Sequence, residues 1–103
     1  MVRSILVLSV LCLLLVASCG EKKADPSKIG EATTLVTNKD FEKGIAMLHD
    51  MEKSSPNDEV LKKARVNAHI MYGNYLMYES TLPPKEKYPS ALRQYRIAAA
   101  IDS

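Results

Sequence analysis

Apolar side chains recur at three- and four-residue steps along most of the chain, and this period constrains the fold more than any other feature. A period near 3.6 residues is typical of an α-helix, and a helix that is apolar on two sides packs between neighbours. No stretch of useful length alternates apolar and polar residues as a β-strand would. The sequence therefore predicts an all-α fold. The clearest segment has two apolar faces, one with Leu61, Ala64, Ala68, Met71, Tyr75 and Tyr78 and the other with Val66, Ile70, Gly73 and Met77.

Turn and capping residues divide residues 28–103 into four predicted helices. Asp40 is a suitable N-cap for the second helix, whereas Ser55 can cap the third and Pro56 suits its first position. Pro83 and Pro84 lie in a segment, 81–87, that we predict to be a loop, because paired prolines exclude helical conformations around them. The predicted helices cover residues 28–37, 41–54, 56–79 and 88–101.

The first 18 residues have the composition of a leader that is removed from the working protein. Arg3 supplies a positive charge near the amino terminus, and the following run from Ile5 to Ala17 is apolar except for Ser9. A helix of this length spans roughly 20 Å, whereas the hydrocarbon core of a bilayer is about 30 Å thick. The run therefore predicts the apolar part of a signal peptide and not a transmembrane helix.

The end of this leader, Val16-Ala17-Ser18-Cys19, resembles the lipobox of bacterial lipoproteins: an aliphatic residue, two small residues and a cysteine. The resemblance implies cleavage between Ser18 and Cys19, a covalent lipid on the Cys19 thiol, and usually a further acyl chain such as palmitate on its amino group. An ordinary secretory signal, the alternative, would leave Cys19 as an odd thiol. Gly20 follows the cysteine in place of Asp. By resemblance to enteric lipoproteins, this favours the outer membrane, facing the periplasm, in a Gram-negative host.

Residues 19–27 predict a lipidated tether that leads to a domain of residues 28–103. Its polar and charged part, Gly20–Ser27, reaches about 15 Å if it is flexible. Cys12 lies in the leader and Cys19 carries the lipid in this interpretation, so no thiol remains for a disulfide or a metal site. The leader also contains one of the 14 basic side chains, which leaves the rest nearly balanced by the 12 acidic ones. This balance argues against a nucleic-acid partner.

The second and fourth predicted helices share one spacing of aromatic, small and large residues. This spacing resembles the second helix of a tetratricopeptide repeat, in which a small residue lets two helices approach and a large one fills the gap. The matches begin 47 residues apart, although the repeat is about 34 residues long, and an unrelated four-helix domain is the alternative. The resemblance implies two antiparallel hairpins, 28–56 and 57–103, the second with a Pro-Pro loop insertion. The two helices read Phe41-x-x-Gly44-x-x-x-Leu48-x-x-Met51 and Tyr88-x-x-Ala91-x-x-x-Tyr95-x-x-Ala98.

Residue types that carry catalysis or hold metals are few and scattered. His49 and His69 are the only histidines, and they lie on different predicted helices without a ligand spacing, so packing or surface roles are favoured over a metal site. The carboxylates form no recognisable catalytic pair, and capping explains Ser54 and Ser55. We therefore predict neither an enzyme nor a metal site, and no cofactor apart from the lipid on Cys19.

Tyrosine and methionine supply the candidate binding residues. Three tyrosines step by three residues along the third predicted helix, and two more lie in the last one. Both residue types are enriched in protein interfaces, but both also fill cores. We favour packing for Tyr75 and Tyr95 and leave both roles open for Tyr72 and Tyr78. The candidates for contact with a partner are Tyr72, Met77, Tyr78 and Tyr88.

Two functional hypotheses follow from these residues and resemblances. The first is a membrane-anchored bacterial lipoprotein that acts as a protein–protein interaction module at the cell envelope. The alternative is a small lipoprotein inhibitor or immunity factor that occludes an envelope enzyme or transporter. A degenerate enzyme or a ligand-binding lipoprotein is the least favoured hypothesis.

Overall fold

A computed structural model describes residues 22–103 as four α-helices: α1 (Pro26–Thr37), α2 (Phe41–Ser54), α3 (Glu59–Tyr78) and α4 (Pro84–Asp102). These helices contain 79% of the described residues, and no strand occurs among them. The prediction of an all-α fold is therefore confirmed. The predicted signal peptide, residues 1–18, and the predicted lipid site, Cys19, lie outside the described residues.

The helices pack on one another in chain order. α1 packs against α2, α2 against α3 and α3 against α4, and α1 also contacts α3. Within residues 22–103, α4 packs against α3 alone. The core lies between α1, α2 and α3, and its largest fully buried side chains are Val36, Leu48 and Leu61.

Gly44 sets the close approach of α1 and α2. A Cβ atom at this position would lie 2.6 Å from Val36 Cγ2 and 2.8 Å from the carbonyl oxygen of Ala32, which are both in α1. Contacts below 3.0 Å are closer than van der Waals packing allows, so α1 and α2 approach this closely only because residue 44 has no side chain. The connecting turn contains Lys39 at a φ of 68°, in the left-handed region that non-glycine residues seldom adopt.

The start of α3 differs from the prediction, because Asp58 and not Ser55 is its N-cap. Asp58 Oδ1 accepts a hydrogen bond from the Leu61 N–H at 3.0 Å. Ser55 ends α2 instead, since its N–H donates to the carbonyl oxygen of Met51 at 3.1 Å. Pro56 therefore lies in the intervening turn, and α3 begins three residues later than predicted.

The chain joins the domain earlier than predicted, through the same carboxylate. The Ala24 N–H donates to Asp58 Oδ2 at 2.8 Å, and Ala24 is buried. Asp25 then caps α1 by accepting from the Ser27 N–H, so that α1 begins two residues before the predicted start. The N–H groups of Leu61 and then Ala24 hold the pKa of Asp58 below its ordinary value. Residues 24–27 therefore belong to the domain and not to a free tether.

The loop predicted over residues 81–87 is shorter in the structure, because residues 81–83 lie outside the helices but α4 already begins at Pro84. A proline fits the first position of a helix, where its missing N–H leaves no hydrogen bond unmade. The Pro83 carbonyl oxygen accepts from the N–H groups of Glu86 and Lys87, each at 2.9 Å. The two prolines thus start the helix, and Pro89 lies inside it.

Candidate partner-binding surface

Tyr72 and Tyr75 join α3 to α2 through an aromatic cluster. The rings of Tyr72 and Phe41 are stacked, with centroids 4.8 Å apart and planes 7° apart. The Tyr75 ring meets Phe41 at 5.2 Å and 44°. Burial, followed by the nearby Glu42 carboxylate, raises the pKa of Tyr72. Packing therefore occupies both tyrosine rings, as expected for Tyr75.

Tyr95 joins α4 to α3 in a similar way. A Cβ atom on Gly73 would lie 2.7 Å from Tyr95 Cε1, so that glycine makes room for the ring. The Tyr95 hydroxyl donates to Asn74 Oδ1 at 2.6 Å. Burial raises the pKa of Tyr95, and the neighbouring Tyr78 raises it further. The packing role that we expected for Tyr95 agrees with these contacts.

His69 also belongs to the contact between α3 and α4. It is buried, and a hydrogen bond of 2.7 Å joins its Nδ1 to Gln94 Oε1. His49 is exposed on α2. In the part of the chain that the structure describes, no three His, Cys, Asp or Glu side chains are grouped so that they could hold a metal ion. None of the four described helices is long and apolar enough to cross a membrane.

One face of α3 is exposed along the whole helix, and we call its residues the α3 stripe. They are spaced by three and four residues, apart from one adjacent pair, and this spacing places them on one side of the helix. The stripe borders α1, because Lys63 and Asn67 share a depression with Thr33, and it borders α4 at Asn74. Four of its seven members are large apolar residues. The members are Val60, Lys63, Asn67, Ile70, Met71, Asn74 and Tyr78.

An open depression of about 340 Å³ lies at the carboxyl-terminal end of the α3 stripe. Met71, Tyr75 and Tyr78 line it from α3, and Val36 and Phe41 line it from α1 and α2. The depression thus offers apolar walls to a side chain of a binding partner.

Lys39 forms the charged rim of this depression. Its Nζ lies 3.2 Å from Glu79 Oε2 and 5.9 Å from the centroid of the Tyr75 ring. Both members of the ion pair are more than half exposed, so the pair contributes little to stability. Lys39 and Glu79 are therefore free to exchange this pair for contacts with a partner.

The structure separates the four residues predicted to contact a partner. Tyr78 lies in the α3 stripe and is 79% exposed, and Tyr88 is exposed on α4. Tyr72 is in the aromatic cluster, and Met77 is half-buried. Sequence reasoning did not find the rest of the stripe, because it placed Ile70 and Met71 on packing faces. A third face of α3 mixes apolar residues with lysine and asparagine at helical spacing, and this pattern could have indicated an exposed surface.

The chain matches no protein-family model, and neither the curated proteins nor the solved structures contain a match to it.

Proposed function

We propose that this chain is a membrane-anchored bacterial lipoprotein whose helical domain binds a protein partner at the cell envelope through the α3 stripe. The observation that carries the proposal is the exposure of Ile70, Met71 and Tyr78 together in the carboxyl-terminal half of α3, with Val60 on the same helix face near its start. Single exposed apolar residues are normal, whereas a row of them beside a depression is typical of an interaction surface. Tyrosine and methionine suit such a surface because both are enriched at interfaces.

The arrangement of the helices supports a tetratricopeptide-like domain within this proposal. Gly44 brings α1 and α2 together, as a small residue at this repeat position does, and Leu48 fills the space beside it. The equivalent small residue of the second hairpin, Ala91, is fully buried where α4 packs on α3. Two antiparallel hairpins that are stacked in chain order would present the α3 stripe between α1 and α4.

The lipid anchor in this proposal would hold the domain close to the bilayer. Five residue steps separate Cys19 from Ala24, whose N–H is bonded to Asp58. A fully extended chain spans about 3.3–3.6 Å per residue, so this segment reaches at most about 18 Å. The partner would therefore be a membrane protein or a protein held at the membrane surface.

Labelling with a fatty-acid analogue tests the anchor. Cells that express the wild-type chain should incorporate the label, whereas Cys19→Ser should remove it, because the thiol is the acylation site. Cys12→Ser is the matched control and should keep the label, because Cys12 lies in the part that is cleaved. Label on the Cys19→Ser variant would contradict the lipoprotein assignment.

Tyr78→Ala tests the binding surface. We expect crosslinking pull-down from intact cells to recover at least about fivefold less partner, since truncation of a tyrosine that anchors an interface costs more than about 1 kcal/mol of binding. The melting temperature should change by only a few degrees, because the ring is 79% exposed. Leu82→Ala is the control, because Leu82 is exposed but lies between α3 and α4, outside the stripe. This variant should capture as much partner as the wild type. Unchanged capture by Tyr78→Ala would exclude the α3 stripe as the binding surface.

A further inference from the structure

α4 carries a second exposed apolar face, which we call the α4 flank. Its members are spaced by four, three and four residues and therefore lie on one side of the helix. Tyr88 is 55% exposed and Leu92 is 46% exposed, whereas Ala91 and Ala98 are buried on the side of α4 that packs against α3. The members of the flank are Tyr88, Leu92, Tyr95 and Ala99.

In α2, the residues that correspond to the α4 flank are covered by a neighbouring helix. In the shared spacing of the two helices, Tyr88 corresponds to Phe41, Leu92 to Ile45 and Tyr95 to Leu48. Phe41 packs on two tyrosines of α3, Ile45 shares a depression with Ala68 of α3, and Leu48 is fully buried. The flank of α2 thus packs against α3, while the adjoining side of α2, at Gly44, meets α1.

α4 repeats one of these two contacts and lacks the other. Its Ala91 side meets α3 as the Gly44 side of α2 meets α1, but within residues 22–103 no helix covers the three exposed members of the α4 flank. The flank is continuous with the interface between α3 and α4, because Tyr95 contacts Gly73 and belongs to both surfaces. A helix on the α4 flank would therefore extend an interface that already exists in the fold.

The charges around the flank indicate what kind of helix it suits. Asp102 continues the line of the flank at the end of α4, three residues after Ala99. The other nearby charges are basic: Lys85 and Arg96 follow the outer edge of the flank, and Arg93 lies beyond them. All three are exposed, and among the described residues none forms an ion pair. Charged residues at the edge of a helix contact favour a partner of opposite sign. Two α4 flanks facing each other would instead bring these basic side chains together, which disfavours a second copy of this chain.

We propose that the α4 flank binds an amphipathic helix of another protein, with small and aromatic residues on its apolar face and acidic residues beside that face. The apolar face would match the one that α3 offers to α2. The inference rests on the proposed function, since it assigns a second contact surface to the same interaction module. The face that α3 buries in the core includes Ala64, Ala68, Tyr72 and Tyr75 beside the fully buried Leu61, and its two tyrosines contact Phe41 of α2.

A designed peptide tests the inference directly. The probe is a helical peptide that has Ala, Ala, Tyr and Tyr at the spacing of 64, 68, 72 and 75 and Glu at its other surface positions. Fluorescence anisotropy with the detergent-solubilised full chain should show binding that Leu92→Asp weakens about tenfold or more. Leu82→Asp is the matched control, because Leu82 is also an exposed leucine but lies in the connection between α3 and α4, outside both surfaces. It should change the affinity less than twofold.

The peptide also tests the charge argument. A second peptide, with Lys in place of Glu, should bind at least about tenfold more weakly, and added salt should reduce this difference. Equal binding of the two peptides, or equal binding to the wild type and Leu92→Asp, would overturn the inference. So would sedimentation that shows the chain dimerising through a contact that Leu92→Asp abolishes.

A photo-crosslinking residue at position 92 or at position 60 separates this inference from the proposed function. Crosslinks from position 92 to an acidic amphipathic helix, identified by mass spectrometry, would support the inference. Crosslinks from position 60 alone would overturn it and leave the α3 stripe as the binding surface. An absence of crosslinks from both positions, and from position 78, would overturn the proposed interaction function as well.

Discussion

Leu48→Ala is expected to lower the free energy of unfolding by about 3–4 kcal/mol, within the range for a fully buried leucine. Leu48 is 1% exposed at the centre of α2, and it contributes to depressions that are also lined by Val36 of α1 and Ala68 of α3. Truncation would remove the contacts that hold three helices together and leave a cavity between rigid backbones. A domain of this size has a small total stability, so the loss is a large share of it.

The measurement is thermal unfolding followed by far-ultraviolet circular dichroism. A loss of about 3–4 kcal/mol corresponds to a fall in melting temperature of about 12–32 °C for a domain of this size. Leu92→Ala is the matched control, because it removes the same atoms from a side chain that is 46% exposed, and it should cost less than about 1 kcal/mol. If both variants melted at similar temperatures, the core would not lie between α1, α2 and α3.

The helical period predicts the four helices, but local rules do not select their ends. Ser55, Asn57 and Asp58 are all residue types that cap helices, and the structure uses Asp58. Asp58 differs from the other two because its second carboxylate oxygen holds the Ala24 N–H, 34 residues earlier in the chain. That contact is formed by the tertiary fold, so the sequence around residue 58 alone does not reveal it.

The start of α4 shows that a pair of prolines can indicate either the end of a helix or the beginning of one. Paired prolines exclude a helix that continues through them, yet Pro84 is equally well suited to begin one. The extra turn is closed by hydrogen bonds from the N–H groups of Glu86 and Lys87 to the Pro83 carbonyl oxygen, although Pro84, Lys85 and Glu86 stay exposed. The prediction of a loop over 81–87 considered only the first outcome.

The candidate binding residues show the same limit. Tyr72 and Tyr78 are identical in type and lie six residues apart on one helix, but Phe41 covers Tyr72 and leaves Tyr78 exposed. Periodicity indicates that a residue shares a face with others, whereas exposure depends on which neighbouring helix reaches that face. The α3 stripe therefore became visible only when α1, α2 and α4 were in place around α3.

The two helical glycines of the first hairpin should respond to alanine with opposite signs. Gly30→Ala should raise the free energy of unfolding by about 1 kcal/mol, because alanine is the better helix former and a Cβ atom there would have no neighbour within 4 Å. Gly44→Ala has the same gain in helix propensity, but its Cβ atom would lie 2.8 Å from the carbonyl oxygen of Ala32. A backbone oxygen cannot move without moving α1.

Overpacking of this kind costs about 1–3 kcal/mol, and the upper end applies where backbone has to shift. After the gain in helix propensity, Gly44→Ala should therefore lose about 2 kcal/mol. Thermal unfolding of the two variants should move the melting temperature in opposite directions, with a separation of about 12–24 °C. If both substitutions raised the melting temperature, α1 and α2 would not approach as closely as this fold requires. The correspondence between Gly44 and Ala91, and with it the case for a helix on the α4 flank, would then lose its structural basis.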